Sequence, residues 1–184
     1  MHLHRLKIDN FRNLRDFEIT FAANADVNGE LRRLRSHSVI GQNGSGKSNM
    51  IEAIVTIFRD LDLNESTAFD YELDYEVRGF QIQIKSVAGR VPEVTIDGEE
   101  VAAWILSDLH VETVGESKPE RGSARQYLPS HVFTYYSGKS ERLEALFREQ
   151  QERFIDNLTE YEEEIDSDSP LRRLFYCRHP HSKL

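Results

Sequence analysis

Residues 41–48 combine glycines, a lysine and a serine at a spacing that suits phosphate binding. They read Gly41-Gln42-Asn43-Gly44-Ser45-Gly46-Lys47-Ser48 and match the pattern G-x-x-x-x-G-K-[ST] in full. Glycine lets the backbone turn tightly, so that successive N–H groups can point inward at phosphate oxygens. In such a loop we expect Lys47 to reach the β- and γ-phosphates and the Ser48 hydroxyl to ligate Mg²⁺. The spacing therefore predicts a nucleotide site with Mg²⁺.

The segments on either side of this loop must position it. The apolar step Ser38-Val39-Ile40 leads into Gly41, and a helix is predicted from Lys47 to Arg59. A glycine-rich turn between a strand and a helix is the alternative interpretation, and the apolar flanks favour the phosphate site. Apolar residues cover most of the helix, which indicates burial against a sheet; they are Met50, Ile51, Ile54, Val55, Ile57 and Phe58.

Two stretches alternate apolar and polar residues, which is typical of half-buried strands. Residues 1–20 read as two strands joined by Asn10-Phe11-Arg12-Asn13. Residues 71–101 predict an antiparallel meander with a solvated acidic face. Its turns are predicted at Arg78-Gly79, Ala88-Gly89 and Asp97-Gly98. Residues 131–136 are predicted as a buried strand, and a helix follows with Ser140 as its N-cap.

Composition narrows the class of protein. The chain has 184 residues, a formal net charge of −9 and 39% hydrophobic residues, which is too apolar for a disordered chain. No apolar stretch approaches the roughly 18 residues of a membrane span, so we expect no membrane partner. The single cysteine, Cys177, excludes an intramolecular disulfide framework and favours a reducing, cytoplasmic location. The excess of acidic over basic residues lies beyond residue 60, whereas residues 1–60, which contain the predicted phosphate-binding loop, carry a slightly positive net charge.

Three stretches of the sequence carry a family resemblance. They are Leu6-Lys7-Ile8-Asp9-Asn10-Phe11-Arg12-Asn13-Leu14, then residues 41–48 with Asn49, then Glu52-Ala53-Ile54. Together they resemble the start of an ABC-type ATPase head, in the branch that holds SMC proteins, RecF and the OLD-family ATPases. The ending Tyr135-Tyr136-Ser137-Gly138 before a helix is similar to stand-alone bacterial ATPases associated with restriction and anti-phage systems.

The resemblance implies a fold and a set of ligands. The fold is α/β: a P-loop NTPase, the N-terminal lobe of an ABC-type ATPase head, with an antiparallel β-meander and a trailing helical segment. Residues 1–139 would form the ATP-binding lobe, and residues 140–184 the start of a lid or coiled-coil insertion. ATP and Mg²⁺ would be the cofactors, held by residues 41–49, with Arg12 and Asn13 near the phosphates or the adenine. A surface cation after a strand is the alternative for Arg12.

The resemblance also implies a glutamine and an Asp-Glu pair near the metal, and at both places the chain has different residues. A Gln is expected at the end of the strand after the meander, where it would hold Mg²⁺ or water. The chain has Thr134-Tyr135-Tyr136-Ser137 there, so Ser137 is the substitute metal ligand. Hydrolysis in this family needs an apolar strand that ends in Asp-Glu. The nearest imitation, Asp97-Gly98, is better explained as a hairpin turn, and no catalytic residue is assigned.

The function expected from these residues is ATP·Mg²⁺ binding in an SMC-, RecF- or OLD-like ATPase of DNA repair, DNA maintenance or anti-phage defence. Hydrolysis would need a C-terminal half that supplies the signature and the Asp-Glu strand. Two heads of this family sandwich ATP, so the resemblance implies a second copy in a homodimer or another ATPase head as the partner. It also implies DNA, a nuclease or both as further partners. The alternative is a non-catalytic module in which bound nucleotide gates the docking of a partner such as a nuclease.

Overall fold

The computed structural model of the protein describes residues 1–21, 24–25, 31–32, 36–107, 110–111, 120–121, 124–136, 141–142, 144–148 and 174–178. The chain divides into two units, Met1–Leu128 and Pro129–Leu184. The boundary predicted after residue 139 lies within the second unit. No helix in the described ranges is both long enough and apolar enough to cross a membrane.

The first unit contains one large antiparallel sheet and one long helix. Its elements in chain order are β1 (His2–Asp9), β2 (Phe17–Thr20), β3 (Asn24–Ala25), β4 (Leu31–Arg32), α1 (Lys47–Asp62), β5 (Asp70–Val77), β6 (Phe80–Ser86), β7 (Glu93–Ile96), β8 (Glu99–Val101), a 3₁₀ turn (Ala103–Leu106), β9 (His110–Val111), β10 (Glu120–Arg121) and α2 (Ala124–Tyr127). Six strands form the large sheet in the order β2-β1-β5-β6-β7-β8, and every pair in it is antiparallel. The short pairs β3–β4 and β9–β10 form two separate ribbons.

The inner face of the sheet is apolar because alternate residues of each strand point to opposite faces. On β5 the buried residues are Tyr71, Leu73, Tyr75 and Val77, which alternate with acidic residues as the predicted meander requires. Helix α1 contributes Phe58, whose ring meets that of Tyr75 edge-on at 5.7 Å between centroids. The predicted meander and helix are therefore confirmed, and the helix ends three residues later than predicted.

Two-residue turns join β5 to β6 and β7 to β8 where the sequence predicts them, whereas residues 87–92, around the predicted Ala88-Gly89 turn, form a longer connection between β6 and β7. Arg78 and Gly79 both have positive φ, as do Asp97 and Gly98, which is the geometry of a two-residue hairpin turn that follows the strand twist. The Asp97 carboxylate accepts a hydrogen bond from the Gln81 N–H at 2.8 Å. Asp97 thus serves the turn, as the sequence indicates.

The segment that leads into the glycine-rich loop does not join the large sheet. Residues 36–40 are assigned to no strand and all are exposed, and Ile40 has 95% of its surface accessible. The apolar residues of Ser38-Val39-Ile40 predict a buried segment, but a segment of this kind is buried only where another strand lies beside it. In the described part of the first unit, β2 and β5 pair with the two edges of β1, and residues 36–40 pair with neither.

The second unit contains a parallel pair of strands, β11 (Val132–Tyr136) and β12 (Leu174–Arg178). The strand predicted at 131–136 is confirmed, but its predicted burial is wrong on one face. Thr134 is buried, whereas Phe133 is 67% and Tyr135 53% exposed. The structure contains a strand at Leu174–Arg178 where the sequence predicts a helical segment, and the run of β-favouring residues Phe175-Tyr176-Cys177 accounts for it.

Part of the helix predicted after Ser140 is described. Residues 141–142 and 144–148 are helical, and Phe147 is buried. Glu144 and Arg148 form an i,i+4 ion pair on this helix, with 3.9 Å between the charged atoms.

Candidate phosphate-binding site

The glycine-rich loop, residues 41–48 and called the P-loop below, takes a conformation that depends on two of its glycines. Gly44 has φ +84° and Gly46 has φ +96°, values that L-residues with a side chain rarely adopt. Gly46 is also the N-cap of α1, and no side chain caps the helix there. The backbone N–H groups at the start of α1 therefore face the loop with no side-chain acceptor of their own.

Lys47 lies across the mouth of the P-loop. Its Nζ donates hydrogen bonds to the carbonyl oxygens of Gly41 at 2.6 Å and Gln42 at 2.7 Å. The Ser45 Oγ is 3.4 Å from the same nitrogen. An ammonium group holds its donors on a flexible stem, so it can exchange these carbonyls for the oxygens of a phosphate group. Lys47 therefore closes on its own loop in this structure, and its contact with phosphate stays a prediction.

Ser48 lies in the first turn of α1 and is exposed. In P-loop proteins the serine hydroxyl one residue after the lysine is a ligand of Mg²⁺, together with waters and phosphate oxygens. The residues present therefore fit the predicted nucleotide and its Mg²⁺. No cluster of three or more metal-ligating His, Cys, Asp or Glu side chains exists among the described residues, so the magnesium prediction depends on Ser48 and the phosphates.

The connection between β1 and β2 closes against the P-loop. Phe11 and Leu14 bond to each other through both backbone groups, at 3.1 and 2.9 Å, and this makes the connection a tight turn. Leu14 is buried, and the Phe11 ring lies 4.5 Å from that of Phe69 between centroids. These contacts hold the intervening Arg12 and Asn13 in place.

Asn13 contacts both the P-loop and the helix that follows it. Its Nδ2 donates to the carbonyl oxygen of Gly44 at 2.7 Å, and its Oδ1 accepts from Asn49 Nδ2 at 2.7 Å. A Cβ atom on Gly46 would lie 3.0 Å from the Asn13 Oδ1 and 2.7 Å from the Leu14 Cδ2. The turn therefore packs directly on the glycine that starts α1.

Arg12 pairs with Glu52 of α1. The Arg12 Nη2 donates to the Glu52 Oε1, and the guanidinium lies 5.3 Å from the centre of the Phe11 ring. The Glu52 side chain is only 7% exposed. The sequence leaves two interpretations of Arg12 open, a contact with the nucleotide and a surface cation. In this structure the partner of Arg12 is a buried carboxylate, and its contact with the nucleotide stays a prediction. The sequence signal for that partner is an acidic residue among the apolar residues of α1, although Asp60 is also buried on the same helix.

The other predicted metal contact, Ser137, lies outside the described residues. Gln126, a glutamine several residues before the expected position, is exposed near the end of α2, and its backbone carbonyl accepts a hydrogen bond from Arg78 at 3.4 Å. Of the predicted site residues, the structure brings Asn13, Asn49 and the P-loop together.

A glycine-rich loop that starts a helix, with a lysine across its mouth, defines the class of P-loop nucleotide-binding proteins. Comparison with known proteins agrees. The AAA ATPase domain family matches residues 1–170, and the chain belongs to this family. Membership confirms the predicted P-loop NTPase class and nucleotide binding.

One curated relative extends the comparison to a named protein. The DNA replication and repair protein RecF of Halalkalibacterium halodurans is 37% identical over 73 residues, which are 40% of this chain and 16% of RecF. The match therefore spans less than a fifth of that relative's length. It supports the predicted likeness to an ATPase of the SMC and RecF kind.

Proposed function

We propose that this chain is the ATP·Mg²⁺-binding part of an SMC- or RecF-like ATPase that acts in DNA repair or maintenance. The observation that carries the proposal is the P-loop with Lys47 held at its mouth by the carbonyls of Gly41 and Gln42. The similarity to RecF, named as a replication and repair protein, supports the DNA context.

In this proposal, different groups of the chain bind the phosphates and the Mg²⁺ ion. The backbone N–H groups at the start of α1 would hold phosphate oxygens, and the helix dipole favours the negative charge there. Lys47 would neutralise phosphate charge, and Ser48 would hold Mg²⁺. The metal, when bound, screens the charge between phosphate groups. Each of these groups lies on α1 or on the loop that starts it, and the β1–β2 turn packs against that loop.

Hydrolysis is assigned in this proposal to a second lobe. Attack by water needs a residue that orients it and an acidic group near the metal. Asp97, which follows an apolar strand, is bonded instead to the Gln81 N–H within its turn. We expect ATP turnover by this chain alone to fall far below the roughly 10 s⁻¹ that is typical of enzymes. Turnover at an ordinary enzymatic rate would contradict the division between two lobes.

Titration with ATP·Mg²⁺ in a calorimeter tests the binding site. We expect Lys47→Ala to weaken binding at least about tenfold, because it removes a charged hydrogen-bond donor to phosphate. Lys85→Ala is the matched control, since Lys85 is an exposed lysine of β6 and its loss changes the net charge equally. Absence of binding by the unaltered chain, or equal binding by Lys47→Ala and Lys85→Ala, would overturn the proposal.

A further inference from the structure

We infer that Asn13 is a positioning residue that sets the orientation of the P-loop backbone, with Asn49 as its support. The inference rests on the proposed function, since it assigns a role at the same site. It assigns Asn13 an action through the loop, whereas the sequence predicts direct contact with the nucleotide.

The first step is the peptide bond between Gly44 and Ser45. A trans peptide is planar, and its C=O and N–H point in opposite directions. The Asn13 Nδ2 holds the Gly44 carbonyl on the outer side of the loop at 2.7 Å. The Ser45 N–H therefore points the other way, and it donates a hydrogen bond to the Gln42 carbonyl oxygen at 3.2 Å within the loop. Asn13 therefore holds this peptide from its carbonyl side while Gln42 holds its N–H, and a phosphate oxygen bound at Ser45 would replace the Gln42 carbonyl.

The second step is the freedom that this contact removes. Gly44 has a positive φ, and a Cβ built on it would meet no atom within 4 Å. Glycine crosses easily between regions of backbone conformation, so packing around Gly44 does not hold this peptide in one orientation. The hydrogen bond from Asn13 to the carbonyl side of the peptide, together with the bond from the Ser45 N–H to Gln42, supplies the restraint that packing does not.

The third step is how Asn13 is itself held. An amide side chain can rotate, but the Asn49 Nδ2 donates to the Asn13 Oδ1 at 2.7 Å and so directs the Nδ2 of Asn13 at Gly44. Asn49 belongs to the first turns of α1, next to Ser48. The two asparagines therefore couple the β1–β2 turn, the P-loop and the helix start, and a displacement of the turn would reorient the phosphate site.

Three variants test this role through ATP·Mg²⁺ affinity, measured by calorimetry on the full chain. We expect Asn13→Ala to weaken binding about tenfold and Asn49→Ala about threefold, because the second change leaves the bond to Gly44 in place. The double variant should bind like Asn13→Ala, since Asn49 acts through Asn13. Asn10→Gly removes an amide from the same turn at a position with φ 57°, which glycine accepts, and should bind like the unaltered chain.

Asn13→Asp gives a readout that a purely structural role would not produce. The carboxylate retains the acceptor for Asn49 but faces the Gly44 carbonyl with an oxygen that cannot donate. Protonation restores a donor, so the affinity of Asn13→Asp relative to the unaltered chain should recover as the pH falls through the carboxyl pKa. Affinity loss that stays constant across pH would contradict the inference.

Hydrogen exchange of the Ser45 N–H, measured by NMR without nucleotide, separates failure of the inference from failure of the proposed function. We expect exchange about fivefold faster in Asn13→Ala than in Asn10→Gly. If Lys47→Ala leaves ATP binding unchanged while Ser45 exchange responds to Asn13, the proposed function fails and the restraint stands. If Asn13→Ala changes neither exchange nor affinity, or lowers only the unfolding free energy, the inference is overturned.

Discussion

Arg12 and Glu52 form an ion pair across 40 positions of sequence, between the β1–β2 turn and the buried side of α1. It joins the same two elements that the Asn13–Asn49 hydrogen bond joins, one helical turn further along α1. Two polar contacts therefore fix the turn on the helix, one beside the P-loop and one below it. The carboxylate is almost fully buried, so its interaction with the guanidinium is weakly screened by water.

Arg12→Ala should lower the free energy of unfolding by about 1–2 kcal/mol, because it takes a charged hydrogen-bond donor from a buried carboxylate. Urea denaturation measures the change. Arg15→Ala is the matched control, since Arg15 is an exposed arginine of the same connection, and it should change stability by less than about 0.5 kcal/mol. Equal effects of the two variants would show that the ion pair contributes nothing beyond a surface charge.

Gly46→Ala should disturb the contact between the β1–β2 turn and the P-loop. The new methyl group would lie 2.7 Å from Leu14 Cδ2, which is buried, and would strain a φ of +96°. Gly98→Ala introduces a similar strain at φ +89° with nothing within 4 Å. We expect both to lose about 1 kcal/mol of stability from backbone strain, and Gly46→Ala to lose more. ATP·Mg²⁺ affinity should fall in Gly46→Ala alone, and retained affinity would argue against the contact.

Two acidic residues on β5 should respond to pH with opposite signs. The hydrogen bond from Arg5 holds the pKa of Glu72 below its ordinary value, whereas burial raises the pKa of Asp74. Glu72 therefore stabilises the fold above the ordinary glutamate pKa, and this contribution is lost as the pH falls through the lowered value. Asp74 favours the fold while protonated, and that preference is lost as the pH rises through its raised value.

The matched variants are Glu72→Gln and Asp74→Asn, compared by urea denaturation between pH 3 and 7. At pH 7 we expect Glu72→Gln to be less stable and Asp74→Asn more stable than the unaltered chain, each by no more than about 1 kcal/mol because both groups are partly solvated. Both differences should shrink toward pH 3. The same sign for the two variants at pH 7 would refute this account of the strand.

Tyr75 and Tyr71 should make the fold sensitive to alkali. Burial raises the pKa of each phenol, and Asp60 adds to the effect on Tyr71. Stability is then complete below the unfolded tyrosine pKa of about 10 and falls above it, by up to about 1.4 kcal/mol per pH unit for each phenol. Replacing either residue by Phe should flatten the fall, seen as thermal midpoints between pH 8 and 11. The half-exposed Tyr135→Phe is the control, and an equal flattening by it would contradict the prediction.

Patterns of residue type and spacing predicted the features that depend on neighbouring positions in the chain, such as the buried face of a strand. The alternation of Tyr71, Leu73 and Tyr75 identifies the buried face of β5 without reference to any other strand, and the glycine spacing identifies the P-loop. The same pattern could not show that Ile40 is exposed or that Phe133 faces outward, because burial is decided by which segments lie alongside.

The polar contacts of the site could not be predicted from the sequence, because they join residues that are far apart in the chain. Asn13 and Gly44 are 31 positions apart, and Arg12 and Glu52 are 40. Their encounter depends on the packing of Leu14 and Phe11, which sets the turn against α1. The family resemblance places Asn13 near the nucleotide, but the direction of its amide follows only from the three-dimensional arrangement.

Helix α1 begins at Lys47, and its N-cap Gly46 offers no side chain; the first turn also contains no acidic residue, so neither the N-cap nor the first turn compensates the positive end of the helix. A phosphate group bound there would serve as the missing cap. Folding and ligand binding are then linked, and the apparent stability should rise with the logarithm of nucleotide concentration, by about 2.7 kcal/mol at a concentration 100 times the dissociation constant. The nucleotide would in that sense be a structural component of the folded protein as well as its ligand.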